Sequence, residues 1–480
     1  MHLSPRRRAE PRLLWAALVL VFAACAHVPR AQEDDARSLR ALVAERLGSA
    51  EARGDRALEA ELDALLAAPL DDASAVRVAL LANPKLRALY EELGVATADR
   101  VQAGRIRNPM ASGAWLFGDD GSEVELALVQ PFLDLLRVPL RKRIASVEFD
   151  AVEASLARQM IELVFDVRRA LVDTRAARGR VELARESFEA ARASLELAQA
   201  LHSAGNIGDP ALTANEAEVS SARIALLRAE AAEREAREPL SVLFGLERSD
   251  GAWSVAGSLA DPTADAPEPR VAEERALAAS LELAESRARV RAAMERADLT
   301  DRERLLANVE LGLGAKKDVG EGSWALGPRF SFELPIADAG DARDASARAR
   351  LRAELERRRA LELEVRAAAR LAVDRIEAST DEHEILREHH VPAHARLVTE
   401  LLRTYNAMQI GVFQVLDARR AELDARREQL DARADAARAE LDLAELFAGA
   451  RHAAHAASGM RPMEATNSTA SPSAARSGGH

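Results

Sequence analysis

The sequence predicts a mainly α-helical protein with a small β part, built as two tandem repeats that each pair a β-hairpin with long antiparallel helices. Three observations predict this. The chain is rich in Ala, Leu, Arg and Glu and holds only 4 % aromatics, the balance of long helices packed through small residues. Landmarks recur at one offset of 204 residues (Gln130 to Leu334): Leu201 meets Tyr405, and the seven-spaced Leu212, Val219 and Leu226 meet Leu416, Leu423 and Leu430. Short stretches of period-two alternation precede each long helical stretch.

The N-terminus reads first. Arg6, Arg7 and Arg8 form a basic leader, and the apolar run Leu13 to Ala24 is too short to span a bilayer but right for a signal peptide over residues 1–24. It ends at Phe22-Ala23-Ala24-Cys25, directly before the only cysteine. This resembles a bacterial lipoprotein lipobox, with Phe22 where Leu is usual. The resemblance implies that Cys25 becomes an acylated N-terminus, and Ala26 after it implies an outer-membrane address. The alternative is a plain signal peptide with an incidental cysteine. A single cysteine excludes an internal disulfide and a Cys-based zinc site.

Residues 25–73 are a charged, Ala-rich tail with some helix. The first repeat spans 74–246, a Pro-rich linker 247–271, the second repeat 272–450, and a disordered tail rich in Ser, Ala, Gly and Pro 451–480. Each repeat opens with a helix, Ser74 to Arg105 and Ala272 to Leu305. Two alternating segments follow. Val309, Leu311, Leu313 and Ala315 share a face, as do Leu326, Phe330, Phe332 and Leu334. In the first repeat Val124, Leu126 and Leu128 alternate with Glu123, Glu125 and Ala127, and Met110 to Phe117 is the weaker partner strand. Gly118-Asp-Asp-Gly121 and Val319-Gly-Glu-Gly322 are the turns. About ten residues of period two suit a tilted strand crossing a bilayer; they equally suit a soluble hairpin on a core.

Long helices come next, Val138 to His202 and Ala342 to Asn406. Sixty-odd helical residues extend roughly 90 Å. A break follows in each repeat, about 203–212 and 407–417, and helices return from Ala211 to Phe244 and Phe413 to Phe447. Their seven-spaced Leu form a narrow coiled-coil seam. Four such helices need an elongated bundle, or copies of themselves.

Chemistry is sparse. A net charge of −12 argues against a nucleic-acid partner. No phosphate loop and no nucleophile elbow is present, so no enzyme and no cofactor is expected. His383, His389, His390 and His394 cluster, and His390 and His394 are spaced i, i+4. Pro392 disturbs that helix, and a solvated surface is expected there rather than a metal site.

With these pieces in order, the sequence resembles the outer-membrane efflux factor family, the TolC-like proteins, over about residues 70–450. The resemblance rests on Ala82-Asn-Pro-Lys-Leu-Arg87, Arg107-Asn-Pro109, Gln130-Pro-Phe-Leu-Asp134, Leu334-Pro-Ile-Ala-Asp338 and the stretch Tyr405 to Ala418. It implies a homotrimer whose twelve-stranded β-barrel, four strands from each chain, continues into a helical periplasmic tunnel. It also implies passive export from an inner-membrane transporter through a periplasmic adaptor, with heavy metals or drugs as cargo classes. By position, Tyr405 and Asp417 match residues of the family's periplasmic constriction. Gln414 stands where some members carry an acid, and Asp209 belongs to the first-repeat turn. Gly205, Gly208 and Gly411 mark the tip where an adaptor docks. The rival reading is a lipid-anchored structural coiled-coil protein of the periplasm.

Overall fold

A computed structural model describes residues 55–118, 121–246, 253–262, 266–305, 309–318, 324–332 and 340–451. The expectations for Cys25, the signal run, the second hairpin turn and the C-terminal tail lie outside these residues.

The chain enters through α1 (Asp55–Leu66) and α2 (Asp72–Ala82). Asp71 caps α2 through a reciprocal box: its carboxylate accepts from the Ser74 N–H at 2.8 Å, and its own N–H donates to the Ser74 hydroxyl at 2.8 Å. The single opening helix expected over 74–105 is two helices, because Asn83 stops α2 and caps α3 (Pro84–Ala103). The Asn83 side chain accepts from the Lys85 N–H at 2.7 Å, and Pro84 sits where its missing N–H costs nothing. The Asn83 amide donates to the Leu243 carbonyl at 2.7 Å, tying α3 to a helix far along the chain.

After strands β1 (Met110–Gly118) and β2 (Gly121–Pro131) comes α4 (Phe132–Ser203), 72 residues long. At 1.5 Å per residue it runs about 108 Å. It starts six residues before the expected Val138, with Pro139 inside its second turn. The return helix α5 (Asp209–Leu243) packs along it. The second repeat runs α6 (Pro269–Ala279), α7 (Leu281–Leu305), β3 (Val309–Asp318), β4 (Trp324–Phe332), α8 (Asp341–Ile385), α9 (Val391–Asn406) and α10 (Val412–Ala448). Its opening helix is again two, parted at Ser280, whose hydroxyl accepts from the Leu283 N–H at 3.2 Å.

The long helix expected from Ala342 to Asn406 is interrupted by a π-turn, Leu386–His390. Pro392 has no N–H and its ring crowds the preceding turn. Widening that turn to i→i+5, with the Val391 N–H donating to the Leu386 carbonyl, keeps the helix going without a break.

Helix α4 is the shaft against which α3, α5, α7 and α10 pack. One apolar cluster joins Leu86, Leu89 and Leu93 of α3 to Phe149, Leu156, Ile161 and Phe165 of α4. A second joins Val164, Val167 and Leu171 to Leu240, Phe244, Trp253 and Leu70. Alanines line the closest helix contacts, including Ala272, Ala276 and Ala369 in the second repeat. Leu430 of α10, one of the seven-spaced leucines, seats directly on Gly179 of α4, where a Cβ would meet its side chain at 2.8 Å. Among the described residues no helix is long and apolar enough to cross a membrane.

Candidate functional site

The four strands form one antiparallel sheet in chain order, β1-β2-β3-β4, so β1 and β4 are its edges. Register sorts the side chains into two faces, since directly paired residues share a face. Val124 pairs with Trp115 and Lys317, Leu126 with Gly113 and Ala315, and Leu128 with Ala111 and Leu313. Further along, Leu311 pairs with Phe330, Val309 with Phe332, and Lys317 with Trp324. One face is therefore largely apolar, with Ser122 and Lys317 at its hairpin end, and it is exposed: Phe117 is 80 %, Leu326 78 % and Phe330 69 % accessible. The opposite face carries Glu123, Glu125, Glu310, Lys316, Arg329 and Ser331, with Gly312, Gly314 and Gly327 between them. Trp115 and Trp324 lie near the hairpin ends of the apolar face, and Phe330 and Phe332 near the helix ends. From Trp324 to Phe332 β4 takes eight steps, about 27 Å of strand. Tilted as barrel strands are, this spans roughly the 25 Å apolar band of an outer-membrane barrel with its aromatic girdles.

Two sequence motifs meet where the sheet joins the shaft. Asp134, at the start of α4, accepts from the Arg107 N–H at 3.0 Å and from Arg141 at 2.5 Å. Gln130 donates to the Arg107 carbonyl at 2.9 Å. The segments 107–109 and 130–134 thus clamp the base of the first hairpin. Burial alone would raise the Asp134 pKa, but Arg141 and the Arg107 N–H outweigh it and hold the carboxyl below its ordinary range.

At the far end the long helices turn back. In the first turn Gly205 adopts φ +79°, its N–H donating to the His202 carbonyl at 2.8 Å and the Asn206 N–H to Leu201 at 2.8 Å. This is a Schellman ending. The second turn repeats it with Met408 (φ +60°) in place of glycine. The repeat offset here is 203 residues, Gly205 to Met408 and Gly208 to Gly411, one fewer than the sequence landmarks gave. Gly411 is extended at φ −79° and stands at the N-cap of α10, as Gly208 does for α5.

The candidate constriction residues divide between the two turns. Asp209 lies beside His202, whose Nε2 is 2.8 Å from its carboxylate. Asp417 lies beside Arg420 at 3.2 Å, and Arg420 also reaches Glu218 of α5 at 3.4 Å, linking the two return helices. Tyr405 and Gln414 are exposed in the second turn. His202 and Arg420 escaped sequence reasoning, although the i, i+3 spacing of Asp417 and Arg420 was visible.

The histidine cluster differs from the solvated surface expected. His383 is buried, 3.6 Å from Asp261, and burial together with Arg433 holds its pKa below the ordinary value. The His390 and His394 rings meet edge to face at 4.8 Å. Among the described residues no group of three or more His, Cys, Asp or Glu is placed to hold a metal ion.

Residues 75–246 match the family described as outer membrane efflux protein. The first repeat is an outer membrane efflux protein domain. No curated protein matches the chain by sequence. Solved structures extend the likeness beyond that domain. The outer membrane protein VceC from Vibrio cholerae is 17 % identical, with a TM-score of 0.65 over 82 % of this chain and 97 % of its own. The Campylobacter jejuni CmeC outer membrane channel is 14 % identical, with a TM-score of 0.65 over 81 % and 86 %. The open state of the Neisseria gonorrhoeae MtrE outer membrane channel is 19 % identical, with a TM-score of 0.60 over 78 % and 88 %. Both repeats, the second beyond the matched efflux protein domain included, therefore share the fold of these TolC-like channels.

Proposed function

We propose that this protein is the outer-membrane channel of a tripartite efflux system. The observation that carries the reading is the four-stranded sheet with one exposed apolar face and two unpaired edges. Backbone groups left unpaired in hydrocarbon cost several kcal/mol each. Three copies closing into a twelve-stranded barrel pair every edge, place the apolar face on lipid and turn the charged and glycine-rich face inward. The long helices continue as a periplasmic tunnel.

In this reading the protein does no chemistry. It conducts cargo delivered by an inner-membrane transporter through a periplasmic adaptor, and Cys25 carries a lipid anchor. Tyr405, Gln414, Asp417 and Asp209 line the periplasmic constriction, and the tips around Gly205, Gly208 and Gly411 meet the adaptor. Three-fold symmetry turns each residue into a ring, and carboxylate rings favour cations.

Membrane fractionation with heat-modifiable gel mobility tests this. A carbonate-resistant trimer that conducts in planar bilayers is expected. A monomeric, carbonate-extractable protein without conductance would favour the periplasmic spacer instead.

A further inference from the structure

Just below the sheet, α7 forms the floor and α4 and α8 the walls of a trough of about 940 Å³. All three helices connect directly to strands: α4 follows β2, α7 leads into β3 and α8 follows β4. A hollow walled on both sides of the middle helix lies on the concave side of a three-helix layer. In a tunnel continuous with a closed barrel, the concave side is the lumen.

The lining has an unusual sign. Arg343, Arg350 and Arg357 recur every seven residues along α8, and Arg289 and Arg296 repeat the spacing on α7. Only two acids line the same stretch, Glu148 paired with Arg296 and Glu354 paired with Arg357. Arg350 is exposed and makes no ion pair among the described residues. Between the arginines stand small residues such as Ala292, Ala347 and Ala353, and Arg289 pairs with Glu285 one turn away. The chain as a whole carries −12, so this excess of cations is local. It is also bounded: in the adjoining hollow of about 470 Å³, Glu282, Glu285 and Glu364 bring acids into the majority.

We propose that this arginine-lined stretch draws small organic anions, carboxylates above all, and disfavours free cations, so that the cargo class is anionic. The inference rests on the conduit reading and deepens it. A cleft of one sign between low-dielectric walls concentrates counter-ions, and arginine-lined pores select anions. Guanidinium groups match carboxylates with paired hydrogen bonds.

The test uses the full-length trimer in planar bilayers under a potassium chloride gradient at about 0.1 M, where screening is incomplete. The acids at the tip act in the opposite sense and are common to every variant, so the quantity read is the change in the chloride-to-potassium ratio. Replacing Arg343, Arg350 and Arg357 together by Gln is expected to lower the chloride-to-potassium ratio by about threefold or more. The triple Lys variant is expected to keep the wild-type ratio. Should the triple Gln variant fail to assemble, Arg350→Gln alone is expected to move the ratio the same way by a smaller step. Conducting Gln variants with an unchanged ratio would overturn the proposal and leave the conduit standing, as would a trough that faces lipid headgroups. A wild-type trimer without conductance would remove the conduit reading and this inference together.

Discussion

Gly205 and Met408 occupy one position in two copies of one turn. Each is the left-handed residue that ends a long helix, and each donates its N–H to a carbonyl three residues back at 2.8 Å. A side chain in that conformation costs roughly 1–2 kcal/mol. Met408 is 93 % exposed and loses no packing if removed. After the entropy glycine gives up on folding, Met408→Gly is expected to stabilise the protein by about 0.5–1 kcal/mol, while Gly205→Ala costs about 1 kcal/mol. The urea midpoint reads both. No gain for Met408→Gly would mean that the methionine side chain holds the turn.

Asp134 fastens the base of the first hairpin to the shaft. Asp134→Ala leaves the Arg107 N–H without its acceptor and Arg141 with the Arg105 carbonyl in place of a carboxylate, and is expected to cost about 2–3 kcal/mol at neutral pH. The folded carboxyl lies below its unfolded value of 3.8. Its contribution is therefore fully present above the unfolded value and is lost as pH falls through the folded one. Wild type and variant should converge in stability once the pH has fallen below the folded value. A gap that persists at low pH would point to lost packing instead.

Glu445 is wholly buried against Arg169, between α10 and α4. Burial, opposed by Arg169 but aided by Asp166 and Glu162, pushes it from 4.5 up to about 7. An acid raised in the folded state binds protons there that the unfolded chain has released. Its contribution to stability therefore falls as pH rises from about 4.5 to 7. Glu445→Gln, which still accepts from Arg169, should flatten that slope in urea titrations across the window. Arg169→Ala should cost about 3–5 kcal/mol at pH 8, where it strands a buried carboxylate, and clearly less at pH 5. Equal losses at the two pH values would contradict this account.

The charged, glycine-rich face of the sheet supplies a paired control. A Cβ at Gly312 would overlap the Leu128 carbonyl oxygen of β2, while one at Gly327 meets nothing within 4 Å. Gly312→Ala should disturb the β2–β3 pairing and cost about 2 kcal/mol or more. Gly327→Ala should be neutral. The fraction of heat-resistant oligomer on gels separates them, and similar behaviour of the two variants would argue against close strand contact at Gly312.

At the far tip, Asp417→Ala removes a carboxylate and releases Arg420. If these residues line the constriction, single-channel conductance or cation preference should change. Arg420→Ala, which leaves Asp417 unpaired, should shift selectivity the opposite way. Unchanged traces from both variants would take the pair out of the constriction.

Much of this fold was readable from the chain because its signals are periodic. Alternation along Val309 to Ala315 and the seven-spaced Leu423 and Leu430 follow from geometry that a local window contains. Gly205 announced its turn because glycine tolerates positive φ. Met408 did not, since nothing in methionine favours that conformation. The break at Asn83-Pro84 carried a cap and a proline yet was absorbed into one long helical run, and Ser280 offered even less. Pro392 was seen as an obstacle, but the helix goes round it by widening. His383 was read as solvated, and Glu445 was not singled out at all, because helical periodicity alone cannot see Asp261 or Arg169, which arrive from distant segments. The register of the repeats failed by one residue at the tips for the same reason, because closing a turn is a local matter that leucine spacing does not encode.

The unpaired margins of β1 and β4 also bear on inheritance and dosage. Under the trimeric reading, a single molecule cannot settle in lipid on its own, so partnership must come before or together with insertion. Every finished channel then contains three seams, and one molecule with a faulty β4 spoils the seam it shares with one neighbour and so opens the barrel of two healthy companions. With equal amounts of sound and faulty chains mixing at random, only about one assembly in eight would be wholly sound. β4 already carries Pro328 at its midpoint; deleting one β4 residue, which turns the following side chains to the opposite face, should accordingly act as a dominant lesion when co-expressed with the normal gene.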